Sequence, residues 1–416
     1  MARKFLVKKP FDMSARVPMQ LGRESISSST VAVSELIKNG YDADAEDVHV
    51  EFYLRSPSAL STLVLRDDGN GMDSNTIQDH WFKIGTDYKN GVELSLKKHR
   101  VLTGAKGLGR LGLDRLSKKV VLYTKKKGSN KVLQLVVDWR KYEDTNVSMS
   151  EIMHDIYEHD LPIKSKYGDV FSSSEESGTV MVLIGLKDDW SSDFIEDLKQ
   201  ELRLLISPYR SAQDFTITLH KTINNELKQK DVIGAQELLK AASWEVKAEV
   251  DSSHRVMLMF KNNATGDEIK QLPVQWNQWI NKQGDKPLFG PLKFEFYYMV
   301  KKKEFLSKVD MTARNWEKFM SLNRGVRIYR DDFRVRPYGE PTGKGDWLDI
   351  GYRKSQSPGG IKQGGWRIGP SQIIGAVIIS KTKNAILNDQ ANREGIVENQ
   401  AYLQLSLDFS QGIKES

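Results

Sequence analysis

STVAVSELIKNGYDAD, residues 29–44, is the stretch on which the reading of this chain turns. It reads as a helix, with Ser27 to Thr30 as capping candidates at its start. Val33, Leu36 and Ile37 supply one apolar stripe. Glu35, Asn39 and Asp42 follow i, i+4, i+7 and so share a second face. A solvated polar face is the ordinary explanation of such a row. The chemical one is a site: a carboxylate can activate a water, and an amide oxygen is a hard ligand suited to Mg²⁺, which keeps waters and substrate phosphates in its shell.

Past this helix, residues 47–53 alternate, with Val48, Val50 and Phe52 against His49 and Glu51, as a half-buried strand does. Thr62 to Leu65 is a short apolar run read as a buried strand, and it stops at Asp67-Asp68-Gly69-Asn70-Gly71-Met72. Asp-Gly and Asn-Gly are common turn dipeptides. The functional alternative is a carboxylate at a strand end that points into a pocket, where it can accept from an exocyclic amine such as adenine N6, while glycines let the backbone pass close to a flat base. Residues 85–109 read as a long mobile loop rich in Gly, Lys and Thr. It closes on Gly104-Ala105-Lys106-Gly107-Leu108-Gly109-Arg110, ahead of a helix at 111–116. Glycines there can turn backbone N–H groups toward a phosphate, and Lys106 and Arg110 add charge. The Walker pattern and a complete dinucleotide-binding glycine unit are both absent.

Strands are expected at Val120 to Tyr123, Leu133 to Val137 and Thr179 to Ile184, with a helix at Asp193 to Leu205. Ser207-Pro208-Tyr209 breaks the pattern and places a domain boundary near 208–215. Further strands are expected at Phe215 to Leu219, Trp244 to Val250, Val256 to Phe260, Phe294 to Val300, Val326 to Tyr329 and Ile373 to Ile379. The 416 residues suit two or three domains. There is no cysteine, which excludes disulfides, thiolate metal sites and cysteine nucleophiles and fits a reducing cytoplasm. No apolar run is long enough to span a bilayer. The net charge of +7 favours anionic partners, with short basic clusters at Lys97-Lys98, Lys125 to Lys127 and Lys301 to Lys303.

Taken in order, these elements resemble the GHKL superfamily: gyrase B, the ninety-kilodalton heat-shock chaperones, histidine kinases, MutL and the Microrchidia proteins. The resemblance runs through Glu35-x3-Asn39-x2-Asp42-Ala43, Asp67-x-Gly69-x-Gly71-Met72, the glycine loop at 104–109 and Gly178-Thr179, with Ile84-Gly85-Thr86 similar to the start of that family's ATP lid. It implies an α/β (α+β) two-layer sandwich, the Bergerat ATP-binding fold, over 1–210, with an N-terminal strap and a lid at 85–109. A transducer domain of ribosomal-S5-like α/β fold would follow over 211–416, with an insert at about 225–290 that has no counterpart.

Residue by residue, the resemblance implies Glu35 as general base for the attacking water and Asn39 as the protein ligand of Mg²⁺. Asp42 would lie near the adenine edge. Asp67 would hold adenine N6, with Thr179 helping through a water. Gly69, Gly71 and Met72 would line the base, and Gly104, Lys106, Gly107, Leu108 and Gly109 would cover the phosphates. Asn323 to Tyr338 and Leu387 to Asn399 resemble the transducer region of the chaperone and Microrchidia branches. In it Arg393, with Lys381 and Lys383 as rivals, would meet the γ-phosphate. The presence of Glu35 and the lack of a phospho-accepting histidine helix favour an ATPase over a kinase.

The expected cofactors are therefore ATP and Mg²⁺. The expected partner is a second copy in an ATP-dependent homodimer, formed through Met1 to Leu21 with its Phe5, Leu6, Val7, Phe11, Met13 and Met19. DNA is the client that the basic balance favours, in a DNA-maintenance or genome-defence role, with Lys97, Lys98, Arg100, Lys125 to Lys127 and Lys301 to Lys303 as contacts. The alternatives are a chaperone-like ATPase with protein clients and a nucleotide-gated scaffold with little turnover. A C-terminal effector beyond Ser416 and a cytoplasmic location complete the expectations.

Overall fold

The computed structural model describes residues 12–26, 28–83, 94–102, 109–203, 205, 214–233, 239, 241–279, 286–307, 313–331, 333–340, 345–355, 368–390 and 395–415. The chain forms two units, one of residues 1–198 with 213–233, the other of 199–212 with 234–416. The chain thus leaves the first unit within the helix Ser192–Arg203 and returns to it past the break at Ser207-Pro208-Tyr209 for two more strands.

The first unit carries helices α1 (Val17–Ser25) and α2 (Ser29–Asp42). Its strands are β1 (Asp47–Leu54), β2 (Thr62–Asp67), β3 (Ser117–Lys125), β4 (Lys131–Asp138), β5 (Asp155–Asp160), β6 (Ile163–Ser165), β7 (Gly168–Phe171), β8 (Gly178–Leu186), β9 (Thr216–Ile223) and β10 (Glu226–Ile233). Eight of them make one sheet in the order β10-β9-β1-β2-β8-β3-β4-β5, with β1 and β9 parallel.

Helix α2 begins where Ser28 Oγ accepts from the Val31 N–H at 3.2 Å. It ends where the Ala43 N–H reaches the Asn39 and Gly40 carbonyls and Asp44, at φ 64°, turns the chain back. Its apolar stripe is buried as the periodicity predicts, and beneath it lie the fully buried Val48, Val50 and Phe52 of β1. At Gly40 a Cβ would stand 3.0 Å from Val48 and 3.2 Å from the Asp67 Cβ, so glycine sets how closely the helix approaches the ends of β1 and β2.

The other face of the sheet buries Val64, Val132, Val180 and Val182 with Val170 and Phe171 of the β6–β7 hairpin. Long-range polar contacts fasten that hairpin: Tyr167 Oη donates to Thr62 Oγ1 at 2.7 Å and Arg66 Nη1 to the Asp169 carbonyl at 2.7 Å.

Of the N-terminal strap, residues 1–11, with Phe5, Leu6, Val7 and Phe11, lie outside the described residues. Of the rest, Met13 and Leu21 are exposed, while other residues here and just beyond pack on their own unit. Ser14 bridges Ser148, Met19 is buried, Gly22 lies against the Leu111 carbonyl, and Arg23 pairs with the buried Asp114 at 3.0 Å.

The second unit has a sheet of β11 (Ala242–Val250), β12 (Arg255–Asn262), β13 (Glu268–Lys270), β15 (Leu292–Met299), β16 (Gly325–Arg330), β17 (Phe333–Val335) and β18 (Ile373–Ile379). The order is β13-β12-β11-β15-β18-β16-β17, and a short β14 (Val274–Gln275) pairs with β12. One core gathers Trp276, Phe289, Phe294, Ile328, Val377 and Leu405. A second gathers Tyr297, Met299, Trp316, Phe319 and Ile374. All the strands expected from 215 onward are present. The stretch at 225–290 supplies β10 to the first sheet and β11 to β14 to the second. Among the described residues no helix is long and apolar enough to cross a membrane.

Candidate nucleotide site

The register of the first sheet assembles the site's floor. Asp67, the last residue of β2, pairs with Thr179 of β8, and Thr179 pairs in turn with Thr124 of β3. Three strand ends therefore meet at one end of the sheet. Thr124 Oγ1 ties them together: it accepts from the Met72 N–H at 2.8 Å, donates to the Gly178 carbonyl at 3.0 Å and lies 3.3 Å from Thr179 Oγ1.

The two aspartates of the turn have separate tasks. Asp68 Oδ1 accepts from the Glu46 and Asp47 N–H groups at 2.7 and 2.9 Å, which closes the turn onto the start of β1. Asp67 stays at the site, its Oδ1 accepting from the Gly69 N–H at 3.1 Å. Burial pushes the Asp67 carboxyl up to about 7, and the Asp68 charge adds to the rise, while the Gly69 and Thr179 N–H groups pull the other way.

The glycines are required by the protein itself. A Cβ on Gly69 would stand 2.7 Å from the Ala43 carbonyl oxygen. Gly71 has φ 65°, and its Cβ would fall 2.0 Å from the Lys125 carbonyl oxygen. Gly178, at φ 130°, would put a Cβ 2.0 Å from the Asp67 carbonyl oxygen. Each holds the turn close to a neighbouring strand or helix end and so fixes where Asp67 sits.

Along α2, the polar row is not a solvated face. Glu35 and Asp42 are 6% and 9% exposed, and Asn39 is half-buried. Lys38 Nζ donates to Glu35 Oε1 at 3.0 Å. Asn39 offers one hard amide oxygen beside Gly40, which lies against Asp67. One such donor fits Mg²⁺, which fills most of its shell with water and phosphate oxygens. The described residues hold no cluster of three or more His, Asp or Glu side chains for a metal caged wholly by protein.

Residues 84–93 and 103–108 lie outside the described residues, and with them Ile84-Gly85-Thr86, Gly104, Lys106, Gly107 and Leu108. Gly109 opens the tight turn Gly109–Gly112. Arg110, expected to add charge near phosphate, donates instead to the His80 and Trp81 carbonyls. Between the two undescribed stretches, residues 94–102 are anchored by Asp44, which sequence reasoning missed, and by Arg100, which it assigned to DNA. Asp44 accepts from the Lys97 and Lys98 N–H groups at 3.0 and 3.2 Å and from Asn70 at 2.9 Å. Arg100 is buried over the Tyr41 ring and donates to the carbonyls of Tyr41, Ala45 and Asp214 and to the Asp214 carboxylate. Their only sequence signal is position, since Asp44 directly follows the helix motif and Arg100 lies in the expected lid.

This corrects part of the nucleic-acid reading. Arg100 is an internal anchor, and Lys125 is buried, with Nζ donating to the Ser129 and Ser174 carbonyls at 3.1 and 2.9 Å. Lys98, Lys126, Lys127 and Lys301 pair with Glu46, Asp73, Glu175 and Glu317. In the second unit Lys381 is half-buried, its N–H donating to Asp331 at 2.8 Å, and Lys383 is exposed. Arg393 lies outside the described residues.

Comparison with known proteins finds the same region. Residues 26–180 match the family described as histidine kinase-, DNA gyrase B-, and HSP90-like ATPase. The chain is similar to "ATPase morc-1" of Caenorhabditis elegans, 32% identical over 119 residues, which are 29% of this chain and 12% of that protein. The chain thus spans far less than the length of that relative. A solved structure titled "Crystal Structure of N terminal domain of a DNA repair protein" aligns over 96% of each chain at 12% identity and a TM-score of 0.49.

Proposed function

We propose that this chain, which carries a GHKL-type ATPase domain over residues 26–180, binds ATP with Mg²⁺ and hydrolyses it. The observation that carries the reading is the junction of Asp67 with Thr179 below α2, a carboxylate and a hydroxyl held together at three strand ends. In the proposed site Asp67 accepts from adenine N6, Thr179 supports it through a water, and Asp42 lies at the adenine edge. Gly69, Gly71 and Met72 line the base. Asn39 holds Mg²⁺, which would neutralise phosphate charge when bound. Glu35 takes the proton of the attacking water. Gly104, Lys106, Gly107, Leu108 and Gly109 cover the phosphates, and a basic residue of the second unit, Arg393 or else Lys381 or Lys383, meets the γ-phosphate.

The larger cycle is proposed with it. ATP orders the lid, two copies associate through the N-terminal segment, and hydrolysis releases them. The second unit serves as the transducer. The basic excess supports DNA as the client and the lack of cysteine a cytoplasmic setting. One observation favours a second reading, a clamp on protein clients: Arg100 and Lys125 are buried, and several of the other expected contacts are paired with carboxylates. Fluorescence anisotropy on duplex DNA at two salt concentrations, with and without a non-hydrolysable ATP analogue, separates the two. Binding that weakens with salt supports DNA; none at low salt supports the protein client. Light scattering with the analogue tests association.

A further inference from the structure

The ion pair between Lys38 and Glu35 lies one turn inside the polar row of α2. Lys38 Nζ stands 3.0 Å from Glu35 Oε1, and the side chains are only 18% and 8% exposed. At i, i+3 the two share one helix face. Burial penalises a carboxylate, and an ammonium within hydrogen-bond reach offsets that penalty and favours the charged form. A general base must be charged to accept a proton, and it must hold one orientation while it does so. Glutamate has three rotatable side-chain bonds, and a buried pair to a lysine on the same helix limits them.

We propose that Lys38 is a positioning residue that holds the Glu35 carboxylate in one orientation for hydrolysis. This rests on the reading of Glu35 as the general base. The role differs from phosphate binding, which would act on ATP affinity, and from a resting-state lock, which would restrain Glu35 until ATP arrived.

The test uses the whole chain with Lys38→Met, Lys38→Arg, Glu35→Gln and the double variant Glu35→Gln/Lys38→Met. ATP affinity is measured by calorimetry, hydrolysis by single turnover, and folding by thermal melting. Lys38→Met is expected to lower the hydrolysis rate about tenfold or more while ATP affinity stays within about twofold. Lys38→Arg, which keeps the charge, is expected to restore most of the rate. In the Glu35→Gln background Lys38→Met is expected to change nothing further, because the two act as one unit. A parallel loss of ATP affinity overturns the proposal in favour of phosphate binding, and a faster rate overturns it in favour of a lock. Additive losses in the double variant also overturn it, since Lys38 would then act apart from Glu35. Should Glu35→Gln alone hydrolyse at the unaltered rate, the general-base reading fails and this proposal with it, an outcome visible before Lys38 is touched. If Lys38→Met melts much earlier, Lys38→Gln repeats the measurement with a polar side chain.

Discussion

Asp67 of β2 and Thr179 of β8 face each other as paired residues at the end of their ladder, and Gly40 of α2 lies directly against Asp67. In the proposed site that pairing is where adenine would be recognised. Asp67→Asn replaces a carboxylate with an amide that presents a donor or a weaker acceptor to adenine N6. An unpaired polar group in the pocket costs about 1–3 kcal/mol, so ATP affinity should fall roughly 5–150-fold, and discrimination against GTP should fall with it. Calorimetric titration with both nucleotides measures this, and unchanged ATP affinity would remove Asp67 from adenine recognition.

ATP affinity should depend on pH through the same carboxyl. Burial, with help from the Asp68 charge, raises Asp67 to about 7 in the free protein. In the proposed site adenine N6 would donate to the ionised form, so binding would favour the carboxylate and lower that value in the complex. A group that titrates lower when bound gives affinity that is full above about pH 7 and lost as pH falls below it, by at most about tenfold per pH unit. Titrations between pH 5.5 and 8.5 read the slope, which should flatten in Asp67→Asn.

Gly71→Ala should damage the fold before the chemistry. The residue sits at φ 65°, and an added Cβ would meet the Lys125 carbonyl oxygen at 2.0 Å. The left-handed backbone and the crowding together cost about 2–5 kcal/mol. A lowered melting temperature with loss of ATP binding is the expected result. A variant that melts and binds normally would show that the turn closes differently.

Arg100→Met should behave as a structural lesion. It removes bonds to three carbonyls and a carboxylate that tie residues 94–102 to the end of α2, at a cost of about 1–3 kcal/mol. Thermal melting should detect that loss, whereas the salt dependence of any DNA binding should not change. A shallower salt slope would return Arg100 to the list of phosphate contacts.

The parts legible in the sequence are those written in local spacing. The 3.6-residue stripe of Val33, Leu36 and Ile37 marked α2, and alternation from Val48 to Phe52 marked β1. Asp67, Gly69 and Gly71 stood out because a turn dipeptide pair ended an apolar strand. What was not legible depends on contacts distant in sequence. The β6–β7 hairpin covers the back of the first sheet through Tyr167 to Thr62 and Arg66 to Asp169, pairs about a hundred residues apart that leave no periodic trace. β5 was missed because its DIYEHD sequence, exposed along nearly its whole length, carries no buried alternation. Arg100 and Lys125 read as surface charge, since nothing in a run of basic residues distinguishes one whose donors meet buried carbonyls.

Glu35→Gln tests ATP hydrolysis with Glu35 as the base. ATP affinity and single-turnover hydrolysis are measured on the same preparation with Mg²⁺. Affinity should stay close to that of the unaltered chain, and the hydrolysis rate should fall by roughly 10²–10⁴-fold. Hydrolysis at the unaltered rate would contradict it.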